Sequence, residues 1–235
     1  MGSTRLPGKT LKNLSNEPMI KRVFDRIRCS SKIDELVLAT TINKIDDDLV
    51  HFAESQNVSV FRGSEENVLE RVVLAAEKFK IENIVELHGD NPFLDPEIID
   101  MIIDEYELTR CDYISNTIEK TFPMGLRVQV FSTESLRNIY DNICDPAVDE
   151  HVSLYYYENP DIYKIVNFYA PAEIRNPEIR LTIDTEEDFT FAQDIYTEIF
   201  NKNIYPGFKT KNVLDIIKNN NIQLSNKNIV SKPVR

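Results

Sequence analysis

Tryptophan is absent from this sequence, cysteine and histidine occur three times each, and glycine six times in 235 residues. Cys29, Cys111 and Cys144 lie far apart with no C-x-x-C pair, so neither a zinc site nor a disulfide framework is implied, and a reducing cytosol fits. No apolar run approaches the roughly 20 residues that cross a bilayer, and the opening MGSTR is polar where an export signal would be basic and then apolar. The expectation is a cytoplasmic protein without a membrane partner. Positive charge is in short supply: 27 Lys and Arg against 39 Asp and Glu leave a net charge of -12, a field that repels nucleic acid and anionic lipid. A small anionic ligand is still allowed, because it feels a local cluster of cations and amides more than distant charge.

What is present is a chain of ordinary globular composition, 42 % hydrophobic and 28 % charged, long enough for one domain with a core that needs no staples. Short apolar runs alternate with amphipathic stretches. Helical spacing at Ile20, Val23, Phe24 and Ile27 precedes a strand-like run Leu36 to Thr41, and Leu49, Phe52 and Ala53 precede Val58 to Phe61. A helix Val68 to Phe79, a strand Ile84 to Leu87 and a helix from Pro96, capped by Asp95, continue the pattern of a parallel sheet with helices on both faces. From residue 112 the repeat loosens: Tyr113 to Ser115, a break at Pro123 and Gly125, strand Leu126 to Phe131, and a helix opened by Ser132 or Thr133. Strands Tyr163 to Phe168 and Ile179 to Ile183 and helices Glu187 to Phe200 and Val213 to Lys218 complete a domain over residues 1–218. The Asn-, Lys- and Ser-rich 219–235 reads as a loosely held tail.

Three segments carry chemistry. MGSTRLPGK packs two glycines, two hydroxyls, Arg5 and Lys9 into nine residues, the parts a triphosphate needs, although a plain basic loop has the same composition and the Walker spacing is missing. In LHGDNPFLDP, Asp90 follows a strand end, where open α/β sheets bind ligands; it suits a magnesium ion or, equally, a turn bonded to its own backbone. In LTIDTEEDF, Thr185 and Asp188 form an N-cap pattern, while Asp184 stands before the cap, free to meet Asp90 across the sheet rim.

MGSTRLPGK, FRGSEENVLERV, HGDNPFLDPEIID and LTIDTEEDF, in this order, resemble the cytidylyltransferases of surface-polysaccharide synthesis over nearly the whole chain, nearest the spore-coat type and more distantly the CMP-KDO synthetases. The resemblance implies a single Rossmann-like nucleotidyltransferase domain, a mostly parallel central sheet flanked by helices, with an insertion serving acceptor binding and dimerisation. It also implies a homodimer that uses CTP and Mg2+. By the same resemblance Gly2, Ser3, Arg5 and Lys9 hold the triphosphate, Asp90 and Asp184 hold the metal, and Arg5, Lys9, Asp90 and Asp184 form the catalytic set. Arg62, Ser64 and Arg71 would line base and ribose, with pairing of Arg71 to Glu66 and Glu70 as the plainer alternative. His151 resembles a histidine that touches the acceptor.

Two departures matter. The family begins with an apolar strand just before M-G-S-T-R, so a central strand is expected ahead of Met1. In GLRVQVF, Arg127 and Gln129 stand where the family carries acids, which points to an anionic acceptor such as a sugar acid, phosphate or phosphonate. A metal-dependent glycosyltransferase is one rival reading, weakened because Asn91 and Pro92 follow Asp90 in place of a D-x-D motif. A catalytically silent nucleotide-binding paralogue is the other.

Overall fold

The structure, a computed structural model, describes residues 2–226 and Ile229. A tight hairpin of β1 (Asn13–Leu14) and β2 (Glu17–Pro18) leads into α1 (Met19–Ile27), whose apolar face is buried. Strand β3 (Val37–Thr41), α2 (Asp47–Ser55) and β4 (Ser59–Gly63) form a parallel unit with five paired positions. Then follow α3 (Val68–Phe79), β5 (Asn83–Glu86) and α4 (Pro96–Thr109), with Asn67 and Asp95 as side-chain caps of the two helices. The second half contains β6 (Tyr113–Ser115), β7 (Gln129–Ser132), α5 (Thr133–Asn142) capped by Ser132, and the short α6 (Pro146–Glu150) and α7 (Leu154–Glu158). Strand β8 (Ile165–Asn167), α8 (Glu186–Asn201) and α9 (Thr210–Asn219) end it.

A central sheet flanked by helices is as expected, but its pairing is mixed where the alternation pointed to mostly parallel. In the order β5-β7-β6-β8, β7 runs antiparallel to both neighbours, and only β6 and β8 pair in parallel. The reason is local. The chain turns back between β6 and β7 through Gly125, at φ +102°, where a Cβ would stand 2.4 Å from the Thr182 nitrogen. Only glycine meets both demands, and the approach lets Met124 pair with Ile179 and Leu181. The expected strand Ile179 to Ile183 is therefore an extended segment held by one parallel bridge, Met124 to Arg180, and by Ile183 donating to the Asp90 carbonyl at 2.9 Å.

Alternation sorts side chains to the two sheet faces. Ile114 and Val130 join one core with α1, α4, α8 and α9, while Tyr113 and Phe131 join a second with α3, α5 and α7. Tyr156 belongs to that second core, stacked on Tyr113 with centroids 5.1 Å apart. The tail expectation falls partly outside the described residues; within them, Asn226 is buried and donates to the Arg180 carbonyl and to Asp188.

Among the described residues β3 pairs only with β4, and β5 only with β7. Both strands line one cavity of about 850 Å³, covered by Ile20 and Phe24 of α1 on one side and Val72 and Ala75 of α3 on the other. Leu38, Val85 and Leu87 are only half-buried there, which is unusual for apolar residues of interior strands.

Candidate active site

The rim of that cavity, at the carboxyl ends of β3 and β5, carries the polar chemistry; its interior is mostly strand edge and apolar helix face. Lys9 opens a single 3-10 turn fixed by Gly8, which is left-handed at φ 69° and accepts from the Leu11 nitrogen. From there the Lys9 Nζ donates to Asp90 Oδ2 at 3.0 Å, to Asp184 Oδ1 at 2.9 Å and to the Ile183 carbonyl at 2.7 Å. Arg5 reaches Asp184 Oδ1 at 3.3 Å. The fold thus brings together all four residues singled out as the catalytic set, from segments more than 80 positions apart.

Behind them stands a residue that sequence reading missed. Arg180, 5 % exposed, donates to Asp184 Oδ2 at 2.7 Å and pairs with the buried Asp188 at 2.9 Å. Burial alone would lower the Arg180 pKa, but hydrogen bonds to and charges of Asp188 and Asp184 outweigh it and hold the guanidinium ionised. Asp188 closes the expected capping box with Thr185 and also accepts from the Asp184 nitrogen at 2.9 Å. Burial works against the Asp184 carboxylate, yet Lys9, Arg180 and Arg5 together lower its pKa below the usual aspartate value.

The other predicted residues divide. Ser3 accepts from the Leu6 nitrogen and shapes the loop. A Cβ on Gly2 would meet only Glu65, at 3.9 Å, so this position is open. Arg62 donates to the Thr41 and Asn43 carbonyls and pairs with Asp47 at 2.7 Å, bracing the ends of β3 and β4. Ser64 accepts from Asn67 at the start of α3, and Arg71 donates to the Ser64 carbonyl. Among the described residues Arg71 makes no ion pair with Glu66 or Glu70; burial lowers its pKa, with Asp46 and Glu65 opposing, and its Nε is buried without a partner.

Arg127 and Gln129 belong to a second polar group. The Arg127 Nη2 donates to Gln129 Oε1 at 3.0 Å and to Ser153 Oγ at 3.4 Å, and Gln129 Nε2 donates to Glu86 at 2.9 Å. Tyr113 donates its hydroxyl to Gln129, and burial pushes that phenol up to about 12. His88 stands 3.9 Å from Glu86, its Nε2 buried without a hydrogen-bond partner, as is the Arg127 Nε. Among the described residues Arg127 has no carboxylate within ion-pair distance. His151 stands at the end of α6, where its backbone donates to Ala147 and accepts from Leu154. Residues 151–153 form a turn between two short helices, from which Ser153 faces Arg127.

Lys9 acts as a stand-in cation in a test of whether these residues suit Mg2+. Three hard oxygens, from two carboxylates and one carbonyl, converge on its ammonium, which is the donor type Mg2+ takes. Among the described residues no cluster of three or more His, Cys, Asp or Glu could hold a metal by itself. A two-carboxylate seat of this kind is completed by water and substrate phosphate.

A family model described as cytidylyltransferase matches residues 1–229. The chain belongs to the cytidylyltransferase family. As a cytidylyltransferase it is a nucleotidyltransferase by class, which decides against the glycosyltransferase reading. It is 38 % identical to a spore coat polysaccharide biosynthesis protein of Bacillus subtilis over 83 % of this chain and 82 % of that one. It is 33 % identical to an uncharacterised protein of Methanocaldococcus jannaschii over 100 % of this chain and 94 % of that one. A solved cytidylyltransferase structure from Leptospira borgpetersenii superposes with a TM-score of 0.86 at 30 % identity, covering 98 % of this cytidylyltransferase and 95 % of that chain. A CMP:2-keto-3-deoxy-manno-octonic acid synthetase solved with CTP shares the fold, with a TM-score of 0.63 at 16 % identity over 84 % of this chain and 95 % of that one. Among the described residues no helix is long and apolar enough to cross a membrane.

Proposed function

We propose that this cytidylyltransferase transfers CMP from CTP to a small anionic, sugar-like acceptor in the making of a surface-glycan precursor. The observation that carries the reading is the convergence of Arg5, Lys9, Asp90 and Asp184 on one point of the sheet rim. An acceptor oxygen attacks the α-phosphorus, the bond from that phosphorus to the bridging oxygen breaks, and pyrophosphate leaves with the electron pair while the acceptor proton passes to solvent. Asp90 and Asp184 would hold Mg2+, which when bound would supply charge neutralisation at the phosphate oxygens. Arg5 and Lys9 orient the triphosphate and offset charge on the departing pyrophosphate, and Gly2 and Ser3 let the loop backbone approach it. Arg62, Ser64 and Arg71 lie where β4 hands over to α3, and in this reading they brace the wall beside base and ribose.

Arg127 supports the anionic acceptor, because a half-buried guanidinium without a carboxylate partner among the described residues, and with an unsatisfied Nε, is well matched to a carboxylate or phosphate. The test is pyrophosphate release from CTP, ATP, GTP and UTP with Mg2+ against sugar acids, sugar phosphates, polyol phosphates and phosphonates. Activity with CTP and one anionic class is expected, and Arg127→Gln raises the acceptor KM at least about tenfold, the ratio equivalent to one ordinary charged contact of about 1.4 kcal/mol, with the CTP KM little changed. Turnover of neutral polyols alone would sink the acceptor reading.

We also infer an occupant for the cavity between β3 and β5: one more strand, parallel to both. It would be apolar on both faces, since α1 and α3 cover the two sides, and it corresponds to the strand expected ahead of Met1. Gly2 lies near Glu65, which Asn43 contacts just beyond β3, so a strand running with β3 would deliver the chain directly to the Gly2 to Lys9 loop. Appending about eight Val- and Ile-rich residues before Met1, enough at about 3.3 Å each to run alongside β3, should raise Tm and reduce binding of a hydrophobic dye. The same extension with alternate residues changed to Asp should do neither, and equal behaviour of the two excludes the strand.

A further inference from the structure

The Lys9 ammonium is not merely near the two carboxylates; it uses them. Its three short contacts are to Asp90 Oδ2, Asp184 Oδ1 and the Ile183 carbonyl, and its side chain is only 12 % exposed. Each ammonium proton has its acceptor, so the group is saturated. The oxygens it takes are among those that would ligate a divalent cation, and an ammonium and a dication crowded onto the same oxygens repel each other strongly. The remaining Asp184 oxygen is no refuge, because Arg180 donates to it at 2.7 Å while Arg5 adds a second positive charge beside Oδ1. A bare metal ion approaching this seat meets three cations already engaged with its strongest ligand.

We propose that Lys9 and the divalent metal are alternative occupants of one oxygen seat, so that metal binds well only together with a nucleotide whose phosphates draw the ammonium away. This rests on the reading of the site as one for a metal-bound triphosphate. Lysine is suited to the exchange. Its charge sits at the end of a flexible four-carbon stem, and its base is fixed by the 3-10 turn after Gly8, so the head can move from carboxylate to phosphate while the backbone stays in place. The triphosphate supplies both a new partner for Lys9 and additional ligands for the metal. Metal and nucleotide affinities are then coupled, and by linkage each strengthens the other by the same factor. A further consequence is that free metal does not hold the site in a half-loaded form.

The coupling is measured without turnover, by titrating Mn2+ into the protein and reading bound metal by electron paramagnetic resonance. Without nucleotide, Lys9→Met and Lys9→Gln are expected to bind Mn2+ at least about tenfold more tightly than the parent chain, a change in affinity of one power of ten. Adding Asp90→Asn to either variant removes that gain, which places the metal at this seat. With a non-hydrolysable CTP analogue present, the factor by which nucleotide tightens Mn2+ is smaller in the Lys9 variants than in the parent. Far-ultraviolet circular dichroism establishes that the variants are folded, and having two substitutions guards against one that is not. Equal or weaker Mn2+ binding by both folded variants overturns the proposal. Because the readout is metal alone, that failure is distinct from a failure of CTP-dependent pyrophosphate release, which would count against the transferase reading.

Discussion

Replacing Asp90 with asparagine lowers CMP transfer on the order of 10² to 10³-fold, the usual cost of removing one electrostatic contact that acts on the transition state. The fold should stay intact, because Asp90 also anchors the site through its carbonyl, which accepts from Ile183 and survives the substitution. Asp184→Asn gives a loss at least as large and costs stability as well, since Asp184 is held by Lys9, Arg5 and Arg180 together. Steady-state turnover with saturating CTP, alongside thermal denaturation, separates the two; an Asp90→Asn enzyme of full activity would remove Asp90 from the mechanism. The pKa of Asp184 fixes the sign of the acid dependence. Because it is lowered in the folded chain, its stabilising contribution is complete above the unfolded aspartate value near 3.9 and fades only as pH falls through its lower, folded value. A decline in activity between pH 6 and 5 would belong to some other group.

Replacing Arg180 with methionine has the largest expected effect on stability. The substitution leaves the fully buried Asp188 charged and without its principal partner, a change that typically costs about 3–5 kcal/mol. For a chain of this size each kcal/mol lowers Tm by about 2–4 °C, so the fall is well outside measurement error. Adding Asp188→Leu should recover part of the loss, because no uncompensated carboxylate is then buried, although the capping box at Thr185 is sacrificed. Arg180→Lys should recover less, since one ammonium cannot span Asp184 and Asp188 as the guanidinium fork does. A Tm unchanged by Arg180→Met would mean that the pairing contributes little to folding.

How much was legible beforehand depended on how local the cause was. The helices starting at Pro96, Thr133 and Glu186 were readable from their caps, because capping is settled within four residues. Strand β6 was read at its observed bounds, since a short β-rich run between polar turns has few other fates. The segment Ile179 to Ile183 reads as a strand by the same rule, yet becomes one only if a neighbour offers a full edge, and Met124 offers a single bridge. Arg180 was invisible for a related reason: an arginine in an apolar run does not show whether it snorkels to water or meets a buried acid eight residues on. Ser153 was passed over for the opposite reason: it matched the resembled segment only loosely, yet its hydroxyl accepts from Arg127.

The sequence by itself determined the α/β class and the order of most elements, because periodicity and caps are properties of short windows, and its resemblance to a known family pointed to the four residues to watch at the sheet rim. Only the tertiary structure decided that those four meet, that β7 runs against its neighbours, that Arg180 supports Asp184 from behind, and that the Lys9 ammonium sits on oxygens of Asp90, Ile183 and Asp184. Each of these joins residues far apart in the chain through contacts of a few ångströms, and no short window of sequence contains both partners.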